Sequence, residues 1–493
     1  MNRVEPIQPI EPIQPIQPIQ PIQPIQAIQA IQAIQAIQAI HLAAPAARST
    51  AAALRAADLG ALVRPDAVHH SVYSDPAIFE LEMTRLFGRA WLLLGHESQV
   101  NAPGDWINTR AAREAVIVAR HTDGSIGAFF NRCTHRGTQL CHEARGNSKQ
   151  FVCPYHGWIF GTDGALKQVP VAQGYGADAG KQFAGLGLAR LPRVALYRGF
   201  VFGSLAASGP ALTDWLGPLA SSIDDMVDRA PGGELCITGG VFKHAYDGNW
   251  KLMLENHLDG IHPNYVHASS VAASREVPDP GAPEQYAGIA VRQMRQNGAP
   301  EAVWEATGMW TTDWGHGYMG DYHSDSRLVA GMNNPVFADY RQRLEARVGK
   351  VESDRILGVT RWNSILYPNV SFMSQFRQLR IVHPLAVDRT VVYTYSFAMP
   401  QAPAQMLRDT IAFSNVVNGT ASWVLTDDLE VYGRVQRGLA ARQPEWVSIG
   451  RGAGGDVMEA DGTLRGASGT SEIFIRQQHQ AWLRYMTAEG ELA

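Results

Sequence analysis

Two short cysteine–histidine segments limit, more than any other feature, what this chain can become. Cys133-Thr134-His135-Arg136-Gly137 is followed further on by Cys153-Pro154-Tyr155-His156-Gly157-Trp158. Each segment offers one thiolate and one imidazole from a tight loop, so a fold that uses both must bring two loops face to face. A Cys2His2 zinc finger would run Cys-x2–4-Cys and then His-x3–5-His; here cysteine and histidine alternate. Cys133 and His135 are also too close in sequence to close a tetrahedral chelate on one ion with ease. The order fits two-loop ligation, with both cysteines on one iron and both histidines on the other iron of a [2Fe–2S] cluster. Gly137 and Gly157 follow the histidine turns, where the main chain must approach sulfide and adopt dihedrals open to glycine.

Composition removes whole classes. The 493 residues carry 42 basic and 46 acidic side chains, a net charge of -4 and a pI near 6.5, so no global field points to nucleic acid or an anionic membrane. Four cysteines exclude a disulfide scaffold, and no apolar run is long enough for a membrane span. A cytoplasmic protein of two to three domains is expected. Residues 5–41 repeat Pro-Ile-Gln and then Ala-Ile-Gln triplets. Proline at every third position blocks helix and favours polyproline II. In the alanine half, a period of three drifts roughly 60° per triplet, so isoleucine builds no stripe. Residues 1–55 are therefore expected to be a low-complexity disordered tail outside the fold.

Beyond the tail, Pro76–Trp91 has the apolar spacing of an amphipathic helix. Short β-like runs follow at Ala115–Ala119, Ile126–Phe130 and Phe151–Cys153, closed by Arg193–Ser204. A helix is expected over Asn249–Ile261, then strands at Asn363–Phe372, Leu379–His383 and Thr390–Met399. Strands in blocks, without strict βαβ alternation, predict an α+β fold.

A second constellation lies in that helix: Asn249-Trp250-Lys251, Glu255-Asn256, Asp259, His262-Pro263 and His267. Asp259 and His262, three apart, would share a helix face. His262 and His267 are five apart, roughly 140° around a regular helix, and could not both face one ion. Pro263 is expected to end or kink the helix and let His267 swing back. Two imidazoles and a carboxylate would make the facial triad of non-haem Fe(II) oxygenases. An acidic pair, Asp427-Asp428, opens a helix-like run that reaches Gln436-Arg437-Gly438; read alone, it is a first-turn acid favoured by the helix dipole.

Together, CTHRG, CPYHGW, NWK-x3-EN-x2-D-x2-H-x4-H and the late DD…QRG resemble the large (α) subunit of Rieske aromatic-ring-hydroxylating dioxygenases, from about residue 70 to the C-terminus. The resemblance implies an antiparallel β Rieske domain inserted in a helix-grip (START-like) catalytic domain with antiparallel sheet and helices. The expected division is an N-terminal helix packing on the catalytic domain over 56–82, the Rieske domain over 83–204 and the mononuclear iron domain over 205–493. It implies Cys133, His135, Cys153 and His156 as cluster ligands, and His262, His267 and Asp428 as ligands of one Fe(II) per chain. Asp428 is preferred to Asp427 for its distance from Gln436. Asp259 matches a carboxylate that bridges a Rieske histidine of one subunit to an iron histidine of the next, and Asn256 a polar residue near the iron. Respiratory Rieske proteins carry an extra cysteine in each loop; Thr138 and Tyr155 stand there, leaving Cys141 and Cys236 as free thiols.

The implied activity is that of a terminal oxygenase component, which hydroxylates an aromatic substrate, expected to be an aromatic acid, with O2. The rival is a Rieske monooxygenase or demethylase. Gly450–Gly455 matches GxGxxG, but polar loop follows it, so NAD(P)H is expected to act only indirectly, through a separate reductase with or without a ferredoxin. Arg132, Arg136 and Arg145 are candidates to dock such a carrier. A homotrimer or an α3β3 assembly with a small β subunit is expected. Residues 304–336 are expected to line or cover the pocket, with His316 and His323 as candidate substrate contacts. Arg361, Arg377 and Arg380 are candidates to pair with a substrate carboxylate.

Overall fold

Alternation of side chains organises the larger sheet of the computed structural model, which describes residues 56–176, 178–277, 286–320, 335–359 and 361–490. Strands β1 (Cys236–Tyr246), β2 (Gly308–Thr311), β3 (Gly317–Gly320), β4 (Asn363–Leu366), β5 (Val370–Met373), β6 (Gln378–Ala386) and β7 (Arg389–Ala398) join two short strands, β8 (Val457–Met458) and β9 (Leu464–Arg465). They form one antiparallel sheet in the order β1-β7-β6-β5-β4-β3-β2-β9-β8. The run expected over Asn363–Phe372 is thus a hairpin of two strands. Successive residues leave opposite faces of a strand. One face collects Leu366, Val370, Phe372, Leu379, Ile381 and Phe397 into a core shared with Trp215, Leu216 and Ile223. The other carries Met319, Asn363, Ser371, Met373, Arg380 and His244, which the registers place on one side.

The cysteine–histidine loops belong to a smaller β region. A four-stranded antiparallel sheet is built from Asp105–Ala111, Glu114–Arg120, Ile126–Phe130 and Arg145–Asn147, and a three-stranded one from Gln150–Val152, Ile159–Gly161 and Leu166–Gln168. Both close on a core that includes Trp106, Ile117, Phe129, Phe151, Trp158 and Phe160. Each loop leaves the end of a strand, one after Phe130 and one after Val152. The hairpin Arg193–Tyr197 and Phe200–Ser204 pairs with Leu92–His96. Phe200, Phe202, Trp91 and Leu93 pack into the core of the large sheet.

Five helices matter for the site: α1 (Trp250–His257), α2 (His262–Val266), α3 (Ala404–Asn418), α4 (Leu425–Leu439) and α5 (Ile473–Thr487). The helix expected over Pro76–Trp91 is shorter: it spans Pro76–Leu81, capped by Asp75, and passes into a π-turn over Glu82–Leu86. The π-turn belongs to a segment that sends the Glu82 carboxylate into the core, where it pairs with Lys251. Trp250 Nε1 and Trp482 Nε1 donate to the two Glu82 oxygens at 2.9 and 2.7 Å, and Lys251 Nζ donates to Val72 O at 3.0 Å. This knot ties the N-terminal segment, α1 and α5 together, and removing one partner from such a buried pair costs about 3–5 kcal/mol. Among the described residues no helix is long and apolar enough to cross a membrane.

Candidate active site

Helix α1 starts at Asn249, whose side chain accepts from the Lys251 N–H. The Asn249 amide donates to Tyr73 O and Val387 O at 3.1 and 2.9 Å, and its main-chain N–H donates to Gln436 Oε1 at 2.8 Å. Asn249 and Gln436 therefore clamp α1 to α4. The NWK and QRG motifs, noticed only as family marks, are what hold together the two regions bearing the candidate iron ligands.

The sequence predicts one helix through Ile261, with Asp259 and His262 on a shared face; the chain instead leaves helix after His257 and restarts at His262. Gly260 disfavours helix, and Asp259 acts as a local cap, its Oδ1 accepting from Ile261 N at 2.7 Å and His262 N at 3.2 Å. Pro263 opens the second helix rather than ending the first, a place where its missing N–H is harmless. His262 Nδ1 donates to the main-chain oxygen of Asp259 at 3.0 Å, not to its carboxylate.

Those corrections leave the convergence intact. His262 Nε2 and His267 Nε2 lie 4.0 and 3.6 Å from Asp428 Oδ1. Among the described residues, only these three place such donor atoms within 4.8 Å of one another. Adjacent residues on a helix stand roughly 100° apart, so Asp427 and Asp428 cannot serve one point. Asp428 is buried and faces the imidazoles, while Asp427 Oδ2 accepts from His267 Nδ1 at 3.2 Å. Each imidazole thus gives its Nδ1 proton to an oxygen and turns Nε2 inward, the tautomer a metal ligand needs. Asn256 Nδ2 donates to Asp428 Oδ1 at 3.3 Å. Burial holds His262 below the usual histidine range and pushes Asp428 above the usual carboxylate range. Two inward-facing imidazole nitrogens beside a desolvated carboxylate fit a divalent cation with nitrogen and oxygen ligands.

The two cluster loops are near copies. Cys133 N donates to Thr138 O and Cys153 N to Trp158 O, both at 2.8 Å; Gly137 N and Gly157 N return to Cys133 O and Cys153 O, both at 3.0 Å. Gly137 and Gly157 have φ of 77° and 68°, the left-handed region open to glycine. Burial raises the Cys133 thiol, partly offset by the N–H groups of His135 and Arg136. Burial acts against the Cys153 thiolate too, but the N–H groups of Tyr155 and His156, with the side chains of Cys133 and Thr138, bring the thiol below its ordinary value. His135 and His156 have ring centroids 4.6 Å apart, and their Nδ1 atoms are buried with no hydrogen-bond partner. Orphaned imidazole nitrogens beside amide-supported sulfurs fit a cluster with iron on both sides. A donor set outside the 4.8 Å grouping does not suit one tetrahedral zinc.

The candidate triad opens on a cavity of about 100 Å³. Met253, Trp304, Met319 and Met373 give it an apolar wall, and His244, His257 and Arg380 add polar atoms. His257 Nδ1 pairs with Ser371 Oγ at 2.7 Å. Trp304 and Met319 come from the stretch expected to line the pocket; residues 321–334, including His323, lie outside the described residues, as does the repeat tail. His316 is no substrate contact: it is fully buried, Nε2 donating to Trp215 O at 2.8 Å and Nδ1 accepting from Tyr367 N at 3.0 Å. Of the three arginines, Arg361 lies over the Tyr318 ring and binds Ser221, and Arg377 binds Thr410 and Met406 O on α3. Arg380 lines the cavity. Sequence reading missed His244, His257 and the role of Asp427. Strand alternation in Gln378–Arg380–Val382 against Leu379–Ile381 was the available signal for which arginine faces the site.

Known proteins match this architecture along most of its length. Residues 235–488 match the family model described as the ring hydroxylating alpha subunit (catalytic domain), and residues 90–184 the Rieske [2Fe-2S] domain. The 2-halobenzoate 1,2-dioxygenase large subunit of Burkholderia cepacia is 32% identical over 431 residues, covering 84% of this chain and 88% of that protein. The toluate 1,2-dioxygenase subunit alpha of Pseudomonas putida is 32% identical over 432 residues, 84% of this chain and 90% of that one. A solved naphthalene 1,2-dioxygenase mutant bound to phenanthrene superposes with a TM-score of 0.74 at 27% identity, covering 88% of this chain and 96% of that chain. A quaternary ammonium Rieske monooxygenase shares the fold at a TM-score of 0.59 and 18% identity. Since the match takes in the cluster loops and the acidic helix alike, this chain belongs to the ring-hydroxylating α subunits, the Rieske non-haem iron oxygenases that carry a [2Fe–2S] cluster and a mononuclear iron.

Proposed function

We propose that this dioxygenase α subunit hydroxylates a single-ring aromatic acid, with electrons from a separate reductase, directly or through a ferredoxin. The observation that carries the reading is the convergence of His262 Nε2 and His267 Nε2 on Asp428 Oδ1 beside a mostly apolar cavity. At about 100 Å³, against the roughly 150 Å³ of a cavity that binds benzene, it limits the substrate to a single ring. The relatives named for 2-halobenzoate and toluate point to the same substrate class.

In this reading His262, His267 and Asp428 hold the mononuclear Fe(II), and Cys133, His135, Cys153 and His156 hold the cluster. When bound, the iron supplies O2 activation and the cluster supplies stored electrons. The chain's own residues do the rest. The Asp259 carbonyl and the Asp427 carboxylate fix the two imidazoles, and Asn256 steadies Asp428. Met253, Trp304 and Met319 keep water from the ring. Asp259 uses one carboxylate oxygen to cap α2; the second is offered to a Rieske histidine of a neighbouring subunit, in a homotrimer or an α3β3 ring.

Anaerobic reconstitution with a generic reductase, followed by substrate-dependent O2 uptake on benzoate, tests the reading. With labelled O2 both oxygen atoms are expected in the product. Retention of one label overturns dioxygenation in favour of the monooxygenase or demethylase alternative.

A further inference from the structure

We infer that Arg380, with His244 beside it, is the anchor for the carboxylate of the aromatic acid, an inference that rests on the oxygenase reading above. Both residues stand on the cavity face of the large sheet. Arg380 lies on β6 opposite Thr394 of β7, and His244 on β1 opposite Val392 of β7. One strand lies between them and they are staggered by two residues along it, so their Cα atoms are roughly 12 Å apart, a gap their side chains can close around a carboxylate. The guanidinium is held entirely by neutral groups. Its Nε donates to Asn418 Oδ1 at 3.0 Å, and Nη2 to Gln378 Oε1 at 3.2 Å and Met373 Sδ at 3.3 Å. Asn418 Nδ2 in turn donates to Gln378 Oε1 at 2.9 Å, which locks the fork in place. Nη1 is buried and has no hydrogen-bond partner, and neither nitrogen of His244 has one.

Nature rarely leaves a buried cation without an anion, because desolvating the charge is costly. Asp428, the acid that shares the cavity, is turned toward His262 and His267. With one carboxylate, one guanidinium and a divalent ion, the site carries an excess of positive charge. A benzoate carboxylate restores the balance, accepting from Arg380 Nη1 and from a His244 N–H. Holding it against the sheet leaves the ring among the methionines and Trp304, turned toward the triad. A neutral arene leaves unpaired the two buried donors that the carboxylate satisfies, which is the form of rejection that discriminates most strongly.

The test compares benzoate with toluene, which differs in replacing carboxylate by methyl, in the reconstituted holoenzyme. Arg380→Gln is expected to raise KM for benzoate on the order of 10²-fold or more and to shift the benzoate-to-toluene ratio of kcat/KM toward toluene. Arg380→Lys is expected to fall between, since an ammonium keeps the charge but loses the fork. Iron content and the Rieske absorption spectrum check that each variant is loaded, and calorimetric titration with benzoate reads binding without turnover. If Arg380→Gln does not load, His244→Phe replaces it, with an expected rise in KM for benzoate of about tenfold. A loaded Arg380→Gln protein with the wild-type KM for benzoate overturns the anchor. Wild-type turnover of toluene without turnover of benzoate also overturns it while leaving the oxygenase reading standing. O2 uptake with neither compound in a fully loaded enzyme overturns both.

Discussion

The two metal-binding regions solve opposite problems. The cluster loops hold their ligands with main-chain amides and left-handed glycines, at the rim of a small β region where Tyr155 and Val152 are exposed. The triad gathers side chains from two helices and the end of a third, its imidazoles fixed by the main-chain oxygen of Asp259 and the carboxylate of Asp427 and its own carboxylate buried. An electron can leave a centre without its donor touching the acceptor, so the first region gains from being near the surface. Chemistry on a ring requires that ring, an oxidant and no bulk water in one enclosed place, so the second is walled off. Rigid backbone suits a cofactor that never changes partners; adjustable side-chain geometry suits a metal that must leave coordination positions open.

If the regions are as separate as this, each can be emptied alone. Asp428→Ala is expected to remove the mononuclear iron and all substrate-dependent O2 uptake while the Rieske absorption and the rhombic EPR signal of the reduced protein persist. Cys153→Ser is expected to do the converse to the spectra, with activity equally lost. Iron and sulfide analysis of both variants decides the matter, and loss of the cluster in Asp428→Ala would break the comparison. A weaker blow falls between the regions. Asp259→Asn retains a side-chain oxygen to cap α2, so both centres should load, yet turnover should drop roughly 100-fold if the second carboxylate oxygen links subunits. Wild-type rates in that variant would sink the link.

How much of this could be read beforehand depended on how narrowly chemistry restricts residue type. The convergence of His262, His267 and Asp428 and the likeness of the two cysteine–histidine loops were legible because thiolate, imidazole and carboxylate have few substitutes at those spacings. The α+β class followed from strands arriving in blocks. The break after His257 was not legible from apolar periodicity, although Gly260 and Asp259 both argue against helix. The partner of His262 could not be foreseen at all: a main-chain carbonyl carries no sequence signature, and a carboxylate at helical spacing is the natural but mistaken candidate. Three arginines between residues 361 and 380 look alike in sequence. Strand parity separates Arg380, which faces the cavity, from Arg377, which sits in the β5–β6 turn at φ 53°.

Asp427 sharpens the contrast further, because it is the only carboxylate among the described residues that hydrogen-bonds an imidazole of the triad from behind. Asp427→Asn keeps the side-chain shape and removes the negative charge that favours the Nδ1-protonated tautomer of His267. Outer partners of this kind are worth about 10–100-fold in metal affinity, so a chelator competition should release the mononuclear iron more readily while the cluster spectrum stays unchanged. Equal iron retention in the variant and the wild type would show that an uncharged oxygen at this position suffices to orient the ring.

The smallest effect concerns a histidine that serves neither metal. His316 accepts a main-chain N–H at Nδ1 and donates from Nε2, so it is filled as a neutral ring, and burial takes its pKa down to about 3. A folded-state value below the unfolded one means stability that is complete above about pH 6.5 and is lost as the pH falls, because the unfolded chain takes up the proton first. At pH 5 that amounts to about 2 kcal/mol for this one group. His316→Gln can imitate only part of the geometry and is expected to be less stable than wild type at pH 7.5. Its melting temperature should nonetheless fall less steeply between pH 7 and pH 5, since one linked proton has gone. Equal slopes would mean that the acid sensitivity of the fold lies elsewhere, with His383, also buried at about 3, the next residue to exchange. The slope thus separates a histidine used as a neutral strut from histidines used as ligands, whose exchange should first change metal content.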